Sequence, residues 1–279
     1  MSSPIRTEPP DDERGSVRHV PFLSVDLDFD GTLAESNVAI DLVAEFVPNG
    51  ARLATAIDLA LRAREITLRE AWARQAALLP WDRLPEMSEF VRRRVQIRAG
   101  AREFLELTHR HRVPVAVLSG GLDFYIRDVL DREGLALPVR AARVATLPDG
   151  GVEVEFPNGH PTCRECGTCK AGIVTEGDDG RVSVFIGDGS TDRYAAEVAD
   201  LVFARGRLLD YCREQGIPAY AFDDFDPVTE RFRDWLEYGA PVVPASRRGL
   251  RDSRCPISSG LATATRAVVS PIASGAGAR

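Results

Sequence analysis

A chain of 279 residues with 44% hydrophobic and 28% charged residues has an ordinary globular composition and enough length to bury one large core or two modest ones. Its net charge of −7 argues against a nucleic-acid-binding surface, and no apolar run approaches the ~18 residues that a membrane span needs. The N-terminal twenty residues lack the apolar core of a signal peptide, so the expected location is cytoplasmic, where the five cysteines serve as thiols or metal ligands rather than disulfides.

Residues 1–20 are charged, contain proline and show no periodicity, which predicts a disordered lead-in. The run "PFLSVDLDF" predicts a first strand. An almost wholly helical block follows over about residues 34–100, with "VAIDLVAEFV", "LATAIDLALRAREI", "LREAWARQAALL" and "EMSEFVRRRVQI" as its candidate helices. "VPVAVLSGG", "RVSVFIGDG" and "ADLVFA" then read as further buried strands, with helical periodicity in "LDFYIRDVLDREG" and "STDRYAAEVA". Between them, "RVATLPDGGVEVEF" places two alternating runs around Pro-Asp-Gly-Gly and predicts a β-hairpin. Strands alternating with helices predict an α/β fold with a doubly wound, Rossmann-like parallel sheet. The unit runs over residues 21–238, and the helical block forms a cap over the sheet. From 239 to 279 the chain is rich in Arg, Ala, Ser and Pro, and a disordered tail is expected.

Ligands of such sheets sit beyond the carboxyl ends of the strands, which directs attention to Asp28, Ser119 and Asp188. "DLDFDGT" sets Asp26, Asp28 and Asp30 at alternate positions, and "GDGSTD" adds Asp188 and Asp192 at another strand end. Carboxylates converging from separate loops repel one another unless a cation holds them, and hard oxygen ligands suit Mg²⁺.

"DFDGT", "LSGG", a lysine and "GDGSTD", in that order, resemble the haloacid dehalogenase-like superfamily of phosphatases, and the helical insert is similar to that superfamily's cap in its first position. From "CGTCK" onward the chain resembles in particular the methionine-salvage branch, whose namesake dephosphorylates a 2-hydroxy-3-keto-5-methylthiopentenyl 1-phosphate; phosphoserine phosphatases are cousins. The resemblance implies Asp28 as nucleophile, giving an aspartyl-phosphate, and Asp30 as the acid that protonates the leaving oxygen and then deprotonates water. It implies Mg²⁺ on Asp28, the Asp30 carbonyl and Asp188, with Asp192 orienting its neighbours from behind. Ser119, the Gly120 amide and Lys170 would hold the phosphoryl oxygens.

Within the superfamily, an acid at Asp30 speaks for phosphoryl transfer rather than carbon dehalogenation, and the absence of lysine between residues 34 and 100 closes the Schiff-base route of phosphonate cleavage. Candidate substrate contacts are Glu35 and Asn37, just past the first motif, and Arg94 and Arg98, where the cap returns to the core. The expected partner is a small phosphate ester, either a methionine-salvage keto or enol phosphate, phosphoserine or a specialised metabolite. Monomer and homodimer are both compatible with the sequence.

"CRECGTCK" closes on Lys170, the only lysine in the chain. Its Cys163, Cys166 and Cys169, with His160 nearby, form a minor candidate site for zinc or iron. Zinc sites commonly use separated C-x₂-C pairs, however, and Ile173 stands where an iron–sulfur run would continue, while Cys212 and Cys255 lie far along the chain. Inert loop thiols are the expectation. The alternative to an enzyme is a non-catalytic metal- or partner-binding protein built around this cluster.

Overall fold

The computed structural model describes residues 23–148, 151–176, 181–241 and 255. Its strands are β1 (Leu23–Leu27), β2 (Val115–Leu122), β3 (Val139–Thr146), β4 (Val152–Glu155), β5 (Val182–Gly187), β6 (Leu201–Ala204) and β7 (Tyr220–Ala221). They form one seven-stranded sheet in the order β4-β3-β2-β1-β5-β6-β7, parallel throughout except for the antiparallel hairpin partner β4. The hairpin that the sequence sets apart thus extends the main sheet, because β3 also pairs with β2. The expected lead-in of residues 1–20 lies outside the described residues.

The helices are α1 (Val38–Phe46), α2 (Gly50–Arg62), α3 (Leu68–Leu78), α4 (Leu84–Arg94), α5 (Ala101–Arg110), α6 (Asp123–Glu133), α7 (Lys170–Glu176), α8 (Arg193–Val198), α9 (Gly206–Gln215) and α10 (Asp226–Tyr238). None of the described helices is long and apolar enough to cross a membrane. Strand alternation sends Leu23, Val25 and Leu27 into a core with α5, α6 and α10, while Leu118, Phe185 and Val202 face α7, α8 and α9 on the other side. Helices on both faces explain why the strands read as continuous apolar runs.

Helices α1 to α4 form the insert between β1 and α5. It leaves and rejoins the sheet side by side, through an antiparallel bridge between Ala34 and Ile97 and the amide bonds Glu35 N–H to Gln96 O (3.0 Å) and Arg98 N–H to Leu33 O (2.9 Å). Helix α3 starts on a capping box, in which the Thr67 hydroxyl accepts from the Glu70 amide and the Glu70 carboxylate accepts from the Thr67 amide.

One residue of the C-terminal stretch departs from the expected solvated tail. Cys255 is buried among residues of α7, α8 and α9; the rest of 242–279 lies outside the described residues.

Candidate active site

Strand order reverses direction at β1, with β2 and β3 to one side and β5 to β7 on the other, so a cleft opens beyond the carboxyl ends of β1 and β5. Residue register brings Leu27 opposite Ile186, which sets Asp28 beside the end of β5. Past Asp28 the chain makes one wide turn over Phe29–Leu33, in which Gly31 adopts φ +79°. A Cβ at Gly31 would stand 2.5 Å from an Asp188 carboxylate oxygen, so glycine is required both by backbone conformation and by the close approach of the second acidic loop.

Lys170, at the start of α7 and 4% exposed, reaches both sides of this cleft. Its Nζ is ion-paired with Asp28 Oδ1 and donates to Asp192 Oδ1 at 2.6 Å. The other Asp192 oxygen accepts from the amides of Asp188 (3.0 Å) and Gly189 (2.9 Å), so Asp192 is fully engaged in holding the lysine and the Asp188 loop. Asp188 in turn accepts from the Thr32 hydroxyl at 2.9 Å.

Ser119 lies on a bulge. Leu118 pairs with Arg140 and Leu122 with Ala142, so the residues between them on β2 are pushed out of the ladder. The Ser119 hydroxyl accepts from the Gly121 amide at 2.9 Å and stands 3.4 Å from Asp30 Oδ2. The Gly120 carbonyl accepts from the Trp72 indole of α3 at 2.6 Å, which docks the insert onto this bulge. Asp30 takes the Val38 amide at 2.8 Å on Oδ1 and the Tyr125 hydroxyl at 2.8 Å on Oδ2.

Burial dominates the electrostatics. It pushes the Asp30 carboxyl up to about 6, against the lowering bonds from Tyr125 and Val38. Burial and the Asp192 charge likewise raise Asp188 to about 6, and burial with Asp192 raises Asp28 well above the usual range, offset by Lys170. Burial alone would depress Lys170, but the charges of Asp192 and Asp28 outweigh it and hold the ammonium. Among the described residues, Asp28, Asp188 and Asp192 are the one group whose ligand atoms all lie within 4.8 Å of one another. With Asp192 committed to Lys170 and to its own loop, Asp28 and Asp188 remain as hard oxygen donors from separate loops, and they fit a Mg²⁺ ion.

The structure therefore brings together Asp28, Asp30, Ser119, Lys170, Asp188 and Asp192. The four cap residues named from sequence divide between the surface and the turn after Asp28. Glu35, Asn37 and Arg94 are exposed, and Asn37 serves as the N-cap of α1, accepting from Ile40. Arg98 is buried, with its guanidinium donating to the carbonyls of Thr32, Gly31 and Asp223. It braces the turn after Asp28, and Arg205 adds a further bond to the Gly31 carbonyl at 2.8 Å. The cleft that reaches Lys170 and Gly120 is lined instead by Leu61, Arg64, Ile66, Thr67 and Leu68, the turn between α2 and α3, facing Thr191 and Arg193. Thr32, Trp72, Tyr125 and Arg205 escape sequence reasoning. Each acts across the fold on a partner remote in the chain, and only Thr32 belongs to a quoted motif, "DFDGT", in which sequence reasoning gives it no role.

The family of haloacid dehalogenase-like hydrolases matches residues 26–197 of the chain. The chain is 33% identical over 208 residues to a 2-hydroxy-3-keto-5-methylthiopentenyl-1-phosphate phosphatase of Geobacillus kaustophilus, covering 73% of this chain and 92% of the relative. A similarly named protein of Bacillus thuringiensis is 28% identical over 221 residues, covering 77% and 98%. Among solved structures, a phosphoserine phosphohydrolase-like protein from Francisella tularensis superposes with TM-score 0.60 at 17% identity, over 75% of this chain and 99% of that one. A phospho-aspartyl intermediate analogue of phosphoserine phosphatase gives TM-score 0.56 at 20% identity, over 78% and 98%. These two share the fold. The chain belongs to the haloacid dehalogenase-like hydrolases. Within them it is a phosphoric monoester hydrolase, which sets aside the reading as a non-catalytic binding protein.

Proposed function

We propose that the chain hydrolyses a small keto or enol phosphate by way of a phospho-aspartate on Asp28. The observation that carries this reading is the placement of Lys170, buried and bridging Asp28 to Asp192, with the protonatable Asp30 beside it on Ser119 and Tyr125. Asp28 and Asp188, with the Asp30 carbonyl, would hold Mg²⁺, which when bound offsets the charge between an attacking carboxylate and an anionic phosphate.

The remaining work falls to the chain's own groups. Lys170 and the Ser119 hydroxyl bind equatorial phosphoryl oxygens, where transition-state charge is spread. An Asp28 oxygen bonds to phosphorus as the ester P–O bond breaks, and Asp30 delivers its proton to the leaving oxygen. Asp30, now ionised, takes a proton from water as that water attacks phosphorus, and the Asp28–phosphorus bond breaks to release inorganic phosphate. A carboxyl raised to about 6 suits both duties near neutrality.

For the substrate, Leu61, Ile66 and Leu68 give the cleft an apolar wall on the cap side. That wall suits a thioether or aliphatic chain, while Arg64, Glu165 and Arg193 in the same lining would meet charged groups, so the choice over phosphoserine rests on the relatives' name.

The test is hydrolysis of a generic aryl phosphate, then of the methylthio keto-enol phosphate against phosphoserine. Asp28→Asn is expected to abolish turnover, and excess chelator to remove it reversibly. Wild-type turnover in either condition would refute the mechanism, and a preference for phosphoserine would refute the substrate assignment.

A further inference from the structure

Four of the five cysteines meet in a second cleft, behind Lys170, that phosphate chemistry does not use. Cys163, Cys166 and Cys169 line it with Cys255, together with His160 and Tyr194. Cys255 reaches it from the C-terminal stretch and is 6% exposed. None of the four is in a disulfide. We infer that Cys163, Cys166, Cys169 and Cys255 ligate a [4Fe–4S] cluster that ties the C-terminal segment to the loop carrying Lys170.

Three observations converge on this ligand set. The first is spacing. C-x₂-C-x₂-C supplies three ligands of one iron–sulfur cube, and its fourth comes from a remote cysteine followed by proline. Here the loop reads Cys163-x₂-Cys166-x₂-Cys169, and the remote residue is Cys255 followed by Pro256. Ile173, which ends the run in sequence, is therefore no obstacle.

The second observation removes histidine. His160 Nδ1 accepts from the amides of Cys163 (3.1 Å) and Thr162 (3.3 Å). A neutral ring that accepts on Nδ1 carries its proton on Nε2, which is then a donor and not a ligand. The fourth position falls to Cys255.

The third concerns size. Bonds of about 2.3 Å at tetrahedral angles would hold zinc-bound sulfurs about 3.8 Å apart. Among the described residues the only group of ligand atoms within 4.8 Å is the carboxylate cluster, so no three of these sulfurs are that close. A cube places each thiolate on a different iron, and its ligands stand farther apart around a central space. Arg193 lines the neighbouring cleft together with Cys166 and supplies positive charge beside a group that four thiolates would make anionic.

The cluster would stiffen the active site from behind. Lys170 directly follows Cys169, whose amide donates to the Asn158 carbonyl at 2.8 Å. The insert is fastened to the same loop, Leu68 N–H to Glu165 O at 3.1 Å and Arg69 Nε to Cys166 O at 3.1 Å.

The experiment is metal and sulfide analysis of the full chain purified without oxygen and reconstituted with ferrous iron and sulfide. About four irons and four acid-labile sulfides per chain are expected, with visible absorption that dithionite bleaches. Cys255→Ser and Cys166→Ser should lose both, while Cys212→Ser and His160→Ala keep them. Zinc at one equivalent without labile sulfide, a metal-free wild type, or full cluster content in Cys255→Ser would each overturn the inference. Iron and sulfide content is read without a phosphatase assay, so this result stands or falls apart from the proposed reaction.

Discussion

Lys170 is the one lysine in a chain whose other fixed cations are arginines, and its surroundings explain why arginine does not serve there. The ammonium is buried between two carboxylates on separate elements, a space shaped for a compact charge on a slender stem. A planar guanidinium would overfill that space and displace Asp28. Lys170→Arg is expected to lower kcat/KM by at least about tenfold and, through overpacking, to lower the melting temperature as well, as steady-state kinetics and a melting curve would show. Tyr125 packs on Phe29 and Phe124 and directs its hydroxyl to Asp30. Its hydroxyl stabilises the ionised carboxylate, so Tyr125→Phe should raise the Asp30 pKa further above about 6. The limb of the pH–rate profile that reports Asp30 should move upward by up to about one unit, the worth of one hydrogen bond of ~1 kcal/mol. An unmoved limb would detach Tyr125 from the acid.

At the scale of elements, the sheet was readable because strands buried on both faces carry apolar runs, and because Asp28 and Asp188 follow the ends of two of them; Ser119, expected at a strand end, falls inside β2 at its bulge. Strand β7 was not, since Tyr220–Ala221 is too short to show alternation and owes its place to pairing with β6. The cap helices were readable from their 3.6-residue period, but not the segment they present to the site. Glu35 and Arg98 are near the motifs in sequence yet lie at the neck of the insert, while Arg64 to Leu68 are carried over the cleft by the packing of α2 against α3. Cys255 was invisible as a partner because nothing local in its stretch indicates burial. The contact of α3 with the β2 bulge makes its own prediction. Trp72→Phe keeps the apolar packing and removes the 2.6 Å bond to the Gly120 carbonyl. Losing about 1 kcal/mol of cap closure should reduce kcat/KM roughly fivefold, chiefly through KM.

For the molecule as a whole, buried acids set the pH dependence of stability. Asp26 on β1 is pushed up to about 6 by burial, above its ordinary 3.8. In that window the folded state binds more protons than the unfolded one, so stability falls as pH rises from about 4 to about 6 and the full cost is present at neutrality. Asp26→Asn removes the cost. Its melting temperature should exceed that of the wild type by a few degrees at pH 7.5 and match it near pH 4. Asp188 carries the same liability, but there a divalent cation can relieve it. Added Mg²⁺ should therefore raise the melting temperature of the wild type more at pH 7.5 than at pH 5, and Asp188→Asn should abolish the difference.

The bond from the Val38 amide to Asp30 joins the first residue of α1, and with it the insert, to the group that handles the proton. That bond favours the ionised carboxylate. Burial, the largest influence on this carboxyl, acts the other way and holds the proton on. The root of the insert is therefore a counterweight: one main-chain amide eases the release of a proton that dry surroundings would otherwise keep in place.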